Sequence, residues 1–144
     1  MRRKKNWNII RRLILLSAFS LLLSTFICCD KEEMLYGSWN LQTVLKNGEP
    51  LNDSLAFNLI PNYTYYTFFY ANILTVDTYA KGQPASSSNG SYRFIDKSTL
   101  ELRFTIFYIN YNFHARIKKL TQRELHLEYD DNGNTYLMKL YTNR

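Results

Sequence analysis

Beyond residue 33 the chain alternates between apolar and polar residues. Residues 100–106 read LELRFTI, and every second side chain in this stretch is apolar. Residues 124–129 and 136–141 show the same alternation. This period of two predicts strands with one face buried and the other in water, and no stretch keeps the helical period of about 3.6. The pattern therefore predicts an all-β fold.

Turn residues divide this pattern into eight or nine short antiparallel strands joined in sequence. Asn132-Gly133 lies between two alternating stretches, and Asn-Gly is a strong hairpin signal because both residues tolerate positive φ. Asp96–Ser98, Thr121–Arg123 and Pro61-Asn62 predict further tight connections. The predicted strands lie near residues 36–46, 54–60, 63–71, 73–80, 90–95, 98–108, 112–120, 124–130 and 134–142.

Two places depart from regular alternation. The apolar positions are even-numbered up to Ile106 but odd-numbered from Ile109 onward, and a slip of one residue turns every side chain to the other face. We therefore expect a bulge or a turn near residues 107–111. The segment Lys81–Gly90 reads KGQPASSSNG, a composition that predicts a mobile loop.

Many sequential strands separated by polar turns predict either a β-sandwich or an up-and-down β-barrel. We favour the barrel, because closure removes the exposed strand edges through which such an aromatic chain would otherwise aggregate. The predicted fold is thus a single up-and-down antiparallel β-barrel over residues 36–144, preceded by an N-terminal signal helix.

The first 33 residues are organised differently. Six Lys and Arg residues lie in the first 12 positions, and an uncharged run of 16 residues follows from Leu13 to Cys28. At about 1.5 Å per residue this run forms roughly 24 Å of helix, whereas a membrane-spanning helix usually needs about 20 residues. A basic start, a short apolar run and a processing site are typical of a secretion signal, and an uncleaved N-terminal anchor is the less favoured alternative.

The segment Leu22–Cys29, LLSTFICC, resembles a bacterial lipobox. The resemblance implies that a signal peptidase cuts before a cysteine, which then carries the lipid chains. Cys29 follows the small residue Cys28 and fits this pattern better than Cys28, which follows Ile27. An ordinary signal peptide with two incidental cysteines is the alternative. The sequence thus predicts three segments. Residues 1–28 form a signal peptide, residues 29–35 contain the lipidated cysteine and an acidic tether, and residues 36–144 form the barrel.

An N-terminal lipid would place the protein at the cell envelope as an outer-membrane lipoprotein, because two or three acyl chains bind a membrane stably. The following residues, Asp30–Glu33, include three carboxylates. In some Gram-negative groups such a cluster resembles a surface-export signal. In others an aspartate beside the lipidated cysteine resembles an inner-membrane retention signal, and the sequence leaves this choice open.

The net charge of +6 does not belong to the barrel. Six of the 18 basic residues lie in the first 12 positions and no acidic residue precedes Asp30, so the rest of the chain holds 12 basic and 12 acidic residues. A basic footprint indicates a nucleic-acid partner only when it belongs to the folded domain, so we expect no such partner. No cysteine follows Cys29, which excludes a disulfide within the barrel.

Few residues suggest catalysis or metal binding. His114 and His126 each take a polar position of a predicted strand, where an exposed side chain is the simplest expectation. Their spacing is not typical of a zinc site. Asp130–Asn134 resembles a calcium loop only weakly, because the required glycine and the final glutamate are not in place. We expect no catalytic residue, metal or cofactor, and hence a protein that is not an enzyme.

An aromatic block at residues 63–70 is the best candidate for molecular contact. Alternation divides its rings between two faces, with Tyr66, Phe68 and Tyr70 on one and Tyr63, Tyr65 and Phe69 on the other. One face must fill the barrel, whereas exposed rings on the other face often mark a binding surface. These six residues are the predicted ligand or partner contacts, and an outer face kept wet by tyrosine hydroxyls is the alternative.

The motif Gly37-Ser38-Trp39 opens the first predicted strand and matches the Gly-x-Trp signature of lipocalins. Short motifs in residues 90–102 and 117–127 strengthen this similarity. Over residues 35–142 the chain resembles the lipocalin-like lipoproteins of Gram-negative bacteria. The resemblance implies that the tryptophan of the motif closes one end of the barrel. It also implies a basic residue stacked on that tryptophan, for which the candidates are Lys139 and Arg144.

The same resemblance implies a non-catalytic protein that binds a small hydrophobic ligand or an envelope protein partner. An eight-stranded barrel is either filled by side chains or holds one small ligand, and the many aromatic residues favour a mostly filled interior. The alternative function is that of an envelope-complex subunit or an inhibitor of a host hydrolase, acting through protein–protein contact.

Overall fold

The computed structural model describes residues 31–51, 63–79, 86–106 and 108–142. The predicted signal peptide, the lipidated cysteine, the strand near 54–60 and the turn at Pro61-Asn62 lie outside these residues. The described elements are a short helix and nine strands: α1 (Lys31–Leu35), β1 (Gly37–Lys46), β2 (Glu49–Pro50), β3 (Thr64–Phe68), β4 (Ile73–Thr78), β5 (Ser86–Asp96), β6 (Thr99–Ile106), β7 (Ile109–Leu120), β8 (Glu124–Asp131) and β9 (Asn134–Tyr141).

Eight of the strands close into an antiparallel barrel. Each strand from β3 to β8 pairs with the next along the chain, and β1 pairs with both β3 and β9. The two-residue strand β2 lies outside this ring and pairs with β1 alone. The structure therefore confirms the predicted up-and-down β-barrel. Within the described residues, no helix is long and apolar enough to cross a membrane.

Side chains that alternate along every barrel strand fill the interior. On β6 the even-numbered apolar residues of the LELRFTI stretch point inward and are buried, as the alternation predicts. Burying one such side chain fully stabilises the fold by about 1.5–3 kcal/mol. The largest fully buried side chains are Trp39, Tyr66, Tyr92 and Phe68, followed by leucine and isoleucine residues from most of the strands.

The N-terminal helix and Trp39 close one end of the barrel. Leu35 and Trp39 are both fully buried, and the indole Nε1 of Trp39 donates a hydrogen bond to the Leu35 carbonyl oxygen over 2.7 Å. The Lys31 ammonium also donates to the Lys97 carbonyl over 2.9 Å. The segment from Lys31 to Leu35, which the sequence assigns to a tether, thus packs against the barrel. We call this end, which includes the turns after β3, β5 and β7, the Trp39 end.

The turns after β1, β6 and β8 form the opposite end, which we call the distal end. Asn132 and Gly133 have φ of 49° and 76°, which confirms the predicted hairpin. Between β6 and β7 the chain reverses between the paired residues Ile106 and Ile109, with Tyr108 at a φ of 68°. This reversal confirms the turn predicted near residues 107–111 and explains the change in parity.

The prediction of a loop over 81–90 is wrong for its second half. Residues Ser86–Gly90 belong to β5 and pair with β4 in continuous register. Serine, asparagine and glycine have low strand propensity, but pairing with a neighbouring strand overrides it. Gly90 is required here because a Cβ atom would overlap the Arg103 carbonyl oxygen of β6.

Candidate functional site

The barrel wall has a gap between β7 and β8 at the distal end. Strand β7 has 12 residues, whereas β8 has 8. Among the described residues their ladder includes only Arg116–Leu120 of β7, opposite Leu125–Glu128 of β8. The earlier part of β7, from Ile109 to Ala115, pairs with β6 alone. The two strands therefore separate toward the distal end.

This gap forms a cleft of about 780 Å³, which we call the β7–β8 cleft. Its apolar lining consists of three rings, Tyr111, Phe113 and Tyr129. Ligand sites in proteins usually have volumes of about 300–1,000 Å³ and are lined by apolar and aromatic side chains with a few polar groups. The β7–β8 cleft has the size of such a site, but most of its lining residues are polar or charged, so that its apolar contact is confined to the three rings.

The rings of the cleft continue into an aromatic cluster inside the barrel. Phe113 lies between Tyr129 at 4.5 Å and Phe104 at 6.0 Å between ring centroids. The ring of Phe104 stacks on Tyr111 at 5.1 Å and meets the edge of Tyr66 at 5.7 Å. Such offset and edge contacts are each worth about 0.5–1.5 kcal/mol beyond their buried area. The cluster therefore gives the cleft an apolar floor that is continuous with the core.

The rim of the cleft is polar and acidic. The Arg116 guanidinium forms ion pairs with Glu128 at 3.0 Å and with Asp130 at 2.9 Å. A hydrogen bond from Thr135, together with Arg116, lowers the pKa of the Asp130 carboxyl group. Asp131 also lines the cleft, and Lys118 pairs with Glu128 at 3.5 Å, so that three carboxylates face two cationic side chains. This excess of negative charge favours a ligand that is neutral or positively charged.

The tyrosine hydroxyls of the cleft are protonated at neutral pH. Desolvation raises the pKa of both Tyr111 and Tyr129 above the ordinary tyrosine value. A neutral phenol both donates and accepts one hydrogen bond. At neutral pH the cleft therefore presents aromatic rings whose phenol groups are uncharged.

The predicted aromatic contact block is distributed over three places. Tyr66 and Phe68 are buried inside the barrel, and Tyr66 belongs to the aromatic cluster. Tyr63 and Tyr65 line a shallow outer pocket of about 530 Å³ with Tyr79. The remaining two residues of the block are exposed in the turn at the Trp39 end, namely Phe69 and Tyr70. The block therefore does not form one surface.

Tyr70 was predicted to share a face with Tyr66 and Phe68, and this prediction is wrong. Strand β3 ends at Phe68, so the alternation stops before Tyr70, which is 72% exposed. Its ring instead packs against Tyr36, with 4.1 Å between the ring centroids. Residues after the end of a strand no longer follow its inward and outward faces.

The rings of the β7–β8 cleft were not singled out from the sequence. Tyr111, Phe113 and Tyr129 occupy inward positions of alternating strands, which makes them look like ordinary core residues. The unequal length of two neighbouring strands is the sequence feature that could have revealed the gap. Twelve residues separate the turn before Ile109 from the turn at Thr121, whereas the next strand is only eight residues long. Unequal neighbouring strands leave part of the longer one without a partner.

The two histidines differ in exposure. His114 is exposed as predicted, and its Nε2 lies 3.6 Å from the Glu101 carboxylate. The side chain of His126 is only 17% exposed, so the prediction of exposure is wrong for this residue. Its Nε2 is buried and makes no hydrogen bond to the described residues. Burial lowers the pKa of His126 below the ordinary value.

Glu101 lies on the outer face of β6 and is nevertheless buried under cationic side chains. It is 6% exposed, forms an ion pair with Arg93 and accepts a hydrogen bond from Arg103 over 2.7 Å. These interactions, led by the Arg103 hydrogen bond, lower the pKa of Glu101 to about 2. The network joins β5 to β6 on the outside of the barrel. Groups of at least three His, Cys, Asp or Glu arranged to hold a metal ion do not occur in the described part of the chain.

The basic residue expected to stack on Trp39 is not Lys139. Lys139 alternates with the buried Met138 and Leu140 on β9, so that its side chain lies on the outer face while Trp39 is inside. The other candidate, Arg144, lies outside the described residues. Cys28 and Cys29 also lie outside them.

A closed eight-stranded barrel with a tryptophan-closed end defines a lipocalin-like fold. The chain is similar to a crystal structure of a lipocalin-like protein from Bacteroides uniformis ATCC 8492, with a TM-score of 0.54 and 13% identity over 74% of this chain and 97% of that one. An uncharacterized protein from Bacteroides eggerthii DSM 20697 matches with a TM-score of 0.53 and 13% identity, over 74% and 99% of the two chains. At this identity the similarity shows the fold. Neither a protein-family model nor a curated protein matches the chain.

Proposed function

We propose that this protein is a non-enzymatic, lipid-anchored binding protein of the cell envelope. It holds a small hydrophobic ligand in the β7–β8 cleft. The observation that carries the proposal is the gap in the barrel wall, which opens onto the aromatic cluster at a point where a fully paired barrel would be sealed. The lipocalin-like fold supports a binding role, because small barrels of this type are able to hold one ligand.

The composition of the cleft indicates the class of ligand. Ring faces of Tyr111, Phe113 and Tyr129 suit a flat or aliphatic body, and the acidic rim suits a neutral or cationic end. A cation over an aromatic face gains about 0.5–2 kcal/mol, so a positively charged group would be attracted by both the rim and the rings.

The lipid anchor is the second part of the proposal and is supported by the sequence. The basic start, the short apolar run and the cysteine pair are arranged as in a lipoprotein signal. Cys29 is the proposed attachment site, and Cys28 is the alternative. An acylated N-terminus would hold the barrel at the outer membrane, where a carrier meets ligands that dissolve poorly in water.

Ligand binding is tested by titrating the fragment 30–144 with the fluorescent apolar amine N-phenyl-1-naphthylamine. This fragment contains the whole compact unit Lys31–Arg144. Tyr111→Ser should weaken binding about tenfold, because losing one ring contact costs about 1.4 kcal/mol. Tyr111→Phe should retain most of the affinity. The matched control is Tyr65→Ser, which removes a tyrosine from the outer pocket. Equal effects of Tyr111→Ser and Tyr65→Ser would show that the dye does not bind in the cleft.

The backbone of β7 along the same gap favours a second function. Alternate peptide groups of β7, at Asn110, Asn112 and His114, face the side on which the ladder to β8 has ended. An unpaired strand edge beside apolar pockets is the arrangement that binds an extended peptide by strand addition. The protein would then act through a protein partner, as an envelope-complex subunit or a hydrolase inhibitor does.

A photo-reactive amino acid at Asn112 distinguishes this second function in intact cells. Strand addition predicts one dominant crosslinked protein, and the same group placed at Asn89 on the outer face of β5 should not capture it. Crosslinks that are absent or identical at the two positions would exclude strand addition at this edge.

A further inference from the structure

Four large apolar side chains are exposed at the Trp39 end of the barrel. They lie in the turn after β3, at the start of β4 and near the end of β5. Their exposed fractions are 46–72%, and large side chains at the distal end, such as Tyr108 and Ile109, are exposed as well, so that exposure alone does not select the end that meets a membrane. The four residues are Phe69, Tyr70, Ile73 and Ile95.

The turn that carries two of these rings is held in a fixed shape. The Tyr92 hydroxyl donates a hydrogen bond to the Phe69 carbonyl oxygen over 2.8 Å. The Phe69 amide donates to the Ile73 carbonyl over 2.9 Å. The Tyr70 ring packs on Tyr36. Because the turn is tied to the buried Tyr92, the rings are presented outward by a rigid support.

The same end of the barrel receives the N-terminal segment. Leu35 is buried under Trp39, and Lys31 bonds to the turn after β5. One residue, Asp30, separates Lys31 from Cys29. Because consecutive Cα atoms are about 3.8 Å apart, two residues of chain span at most about 8 Å. A lipid at Cys29 therefore brings the Trp39 end to the membrane surface and leaves almost no slack.

We propose that the Trp39 end rests on the bilayer, with Phe69, Tyr70 and Ile95 at the level of the lipid headgroups. Tyrosine rings and apolar side chains beside lysines suit this interface, which is apolar on one side and wet on the other. The β7–β8 cleft, at the distal end, then opens toward the aqueous phase. This inference rests on the proposed lipid attachment at Cys29.

The orientation is tested with the full-length lipoprotein in vesicles of phosphatidylethanolamine and phosphatidylglycerol. Because no cysteine follows Cys29, Tyr70→Cys creates a unique site for a fluorescent label. The matched control is Tyr108→Cys, at the distal end, where the side chain is 100% exposed. Brominated lipids should quench the label at position 70 several-fold more strongly than the label at position 108. Equal quenching, or stronger quenching at position 108, would overturn the proposed orientation.

Flotation of the same vesicles separates this inference from the anchor on which it rests. Protein that floats with the vesicles but shows no quenching at position 70 is anchored in another orientation, so that only the inference fails. If the protein does not float at all, the lipid attachment and the orientation both fail. Phe69→Ser provides a further check, since the loss of an inserted ring should shift the position-70 label toward a more polar emission.

Discussion

His126 is buried at a position where alternation predicts an exposed side chain. The carboxylate of Glu124 lies 3.6 Å from its Nε2 and favours the charged imidazolium, whereas Lys119, which pairs with that same carboxylate, opposes it. Burial disfavours the charged imidazolium and lowers the pKa of His126 in the folded state. The unfolded chain therefore binds a proton at this residue more readily than the folded chain does.

This difference predicts a loss of stability on mild acidification. The stabilising contribution of neutral His126 is complete above the unfolded pKa of about 6.5 and is lost as pH falls toward the lower folded pKa. His126→Gln should therefore reduce the decrease in unfolding free energy between pH 7 and pH 5, measured by urea denaturation. His114→Gln, on the exposed histidine, is the matched control. A wild-type decrease that His126→Gln leaves unchanged would contradict this account.

At the scale of elements, the local sequence predicts the strands and their hairpins. It does not predict the gap in the barrel wall between β7 and β8. A period of two and an Asn-Gly pair act over a few residues, so β6, β8, β9 and the turn at Asn132 were predictable. Pairing of Ser86–Gly90 with β4 and the early end of the β7–β8 ladder depend on partners distant in the chain. Alternation shows which face of a strand is apolar but not how far its ladder extends.

The close approach of β5 and β6 is tested by Gly90→Ala, and Gly48→Ala serves as the comparison. Gly90→Ala places a Cβ atom against the backbone of Arg103, which is unable to move away without disrupting β6. We expect a destabilisation of more than about 2 kcal/mol, as for severe overpacking. Gly48→Ala has open space around it and a φ of 88°, so it should cost about 1 kcal/mol from backbone strain alone. Urea midpoints at unchanged slope measure both values, and equal costs would contradict the close approach.

At the scale of the whole molecule, the proposed protein carries a lipid at one end and a ligand site at the other. Metabolic labelling with an alkyne-bearing palmitate tests the first part. Cys29→Ser should abolish incorporation, because it removes the residue that accepts the acyl chains, and Cys28→Ser should retain it. Incorporation that survives Cys29→Ser but not Cys28→Ser would move the attachment point by one residue. Retention in both variants would contradict Cys29 as the single attachment site.

The most direct test of the ligand site is native mass spectrometry of the full-length protein, extracted gently from the membranes of cells that produce it. If the cleft binds a ligand, the wild-type protein should retain a small molecule. Asn112→Trp fills the mouth of the β7–β8 cleft and should remove that molecule, whereas Asn89→Trp, on the outer face of β5, should retain it. Wild-type protein that carries no small molecule, or a molecule that remains on the Asn112→Trp variant, would contradict ligand binding in the cleft.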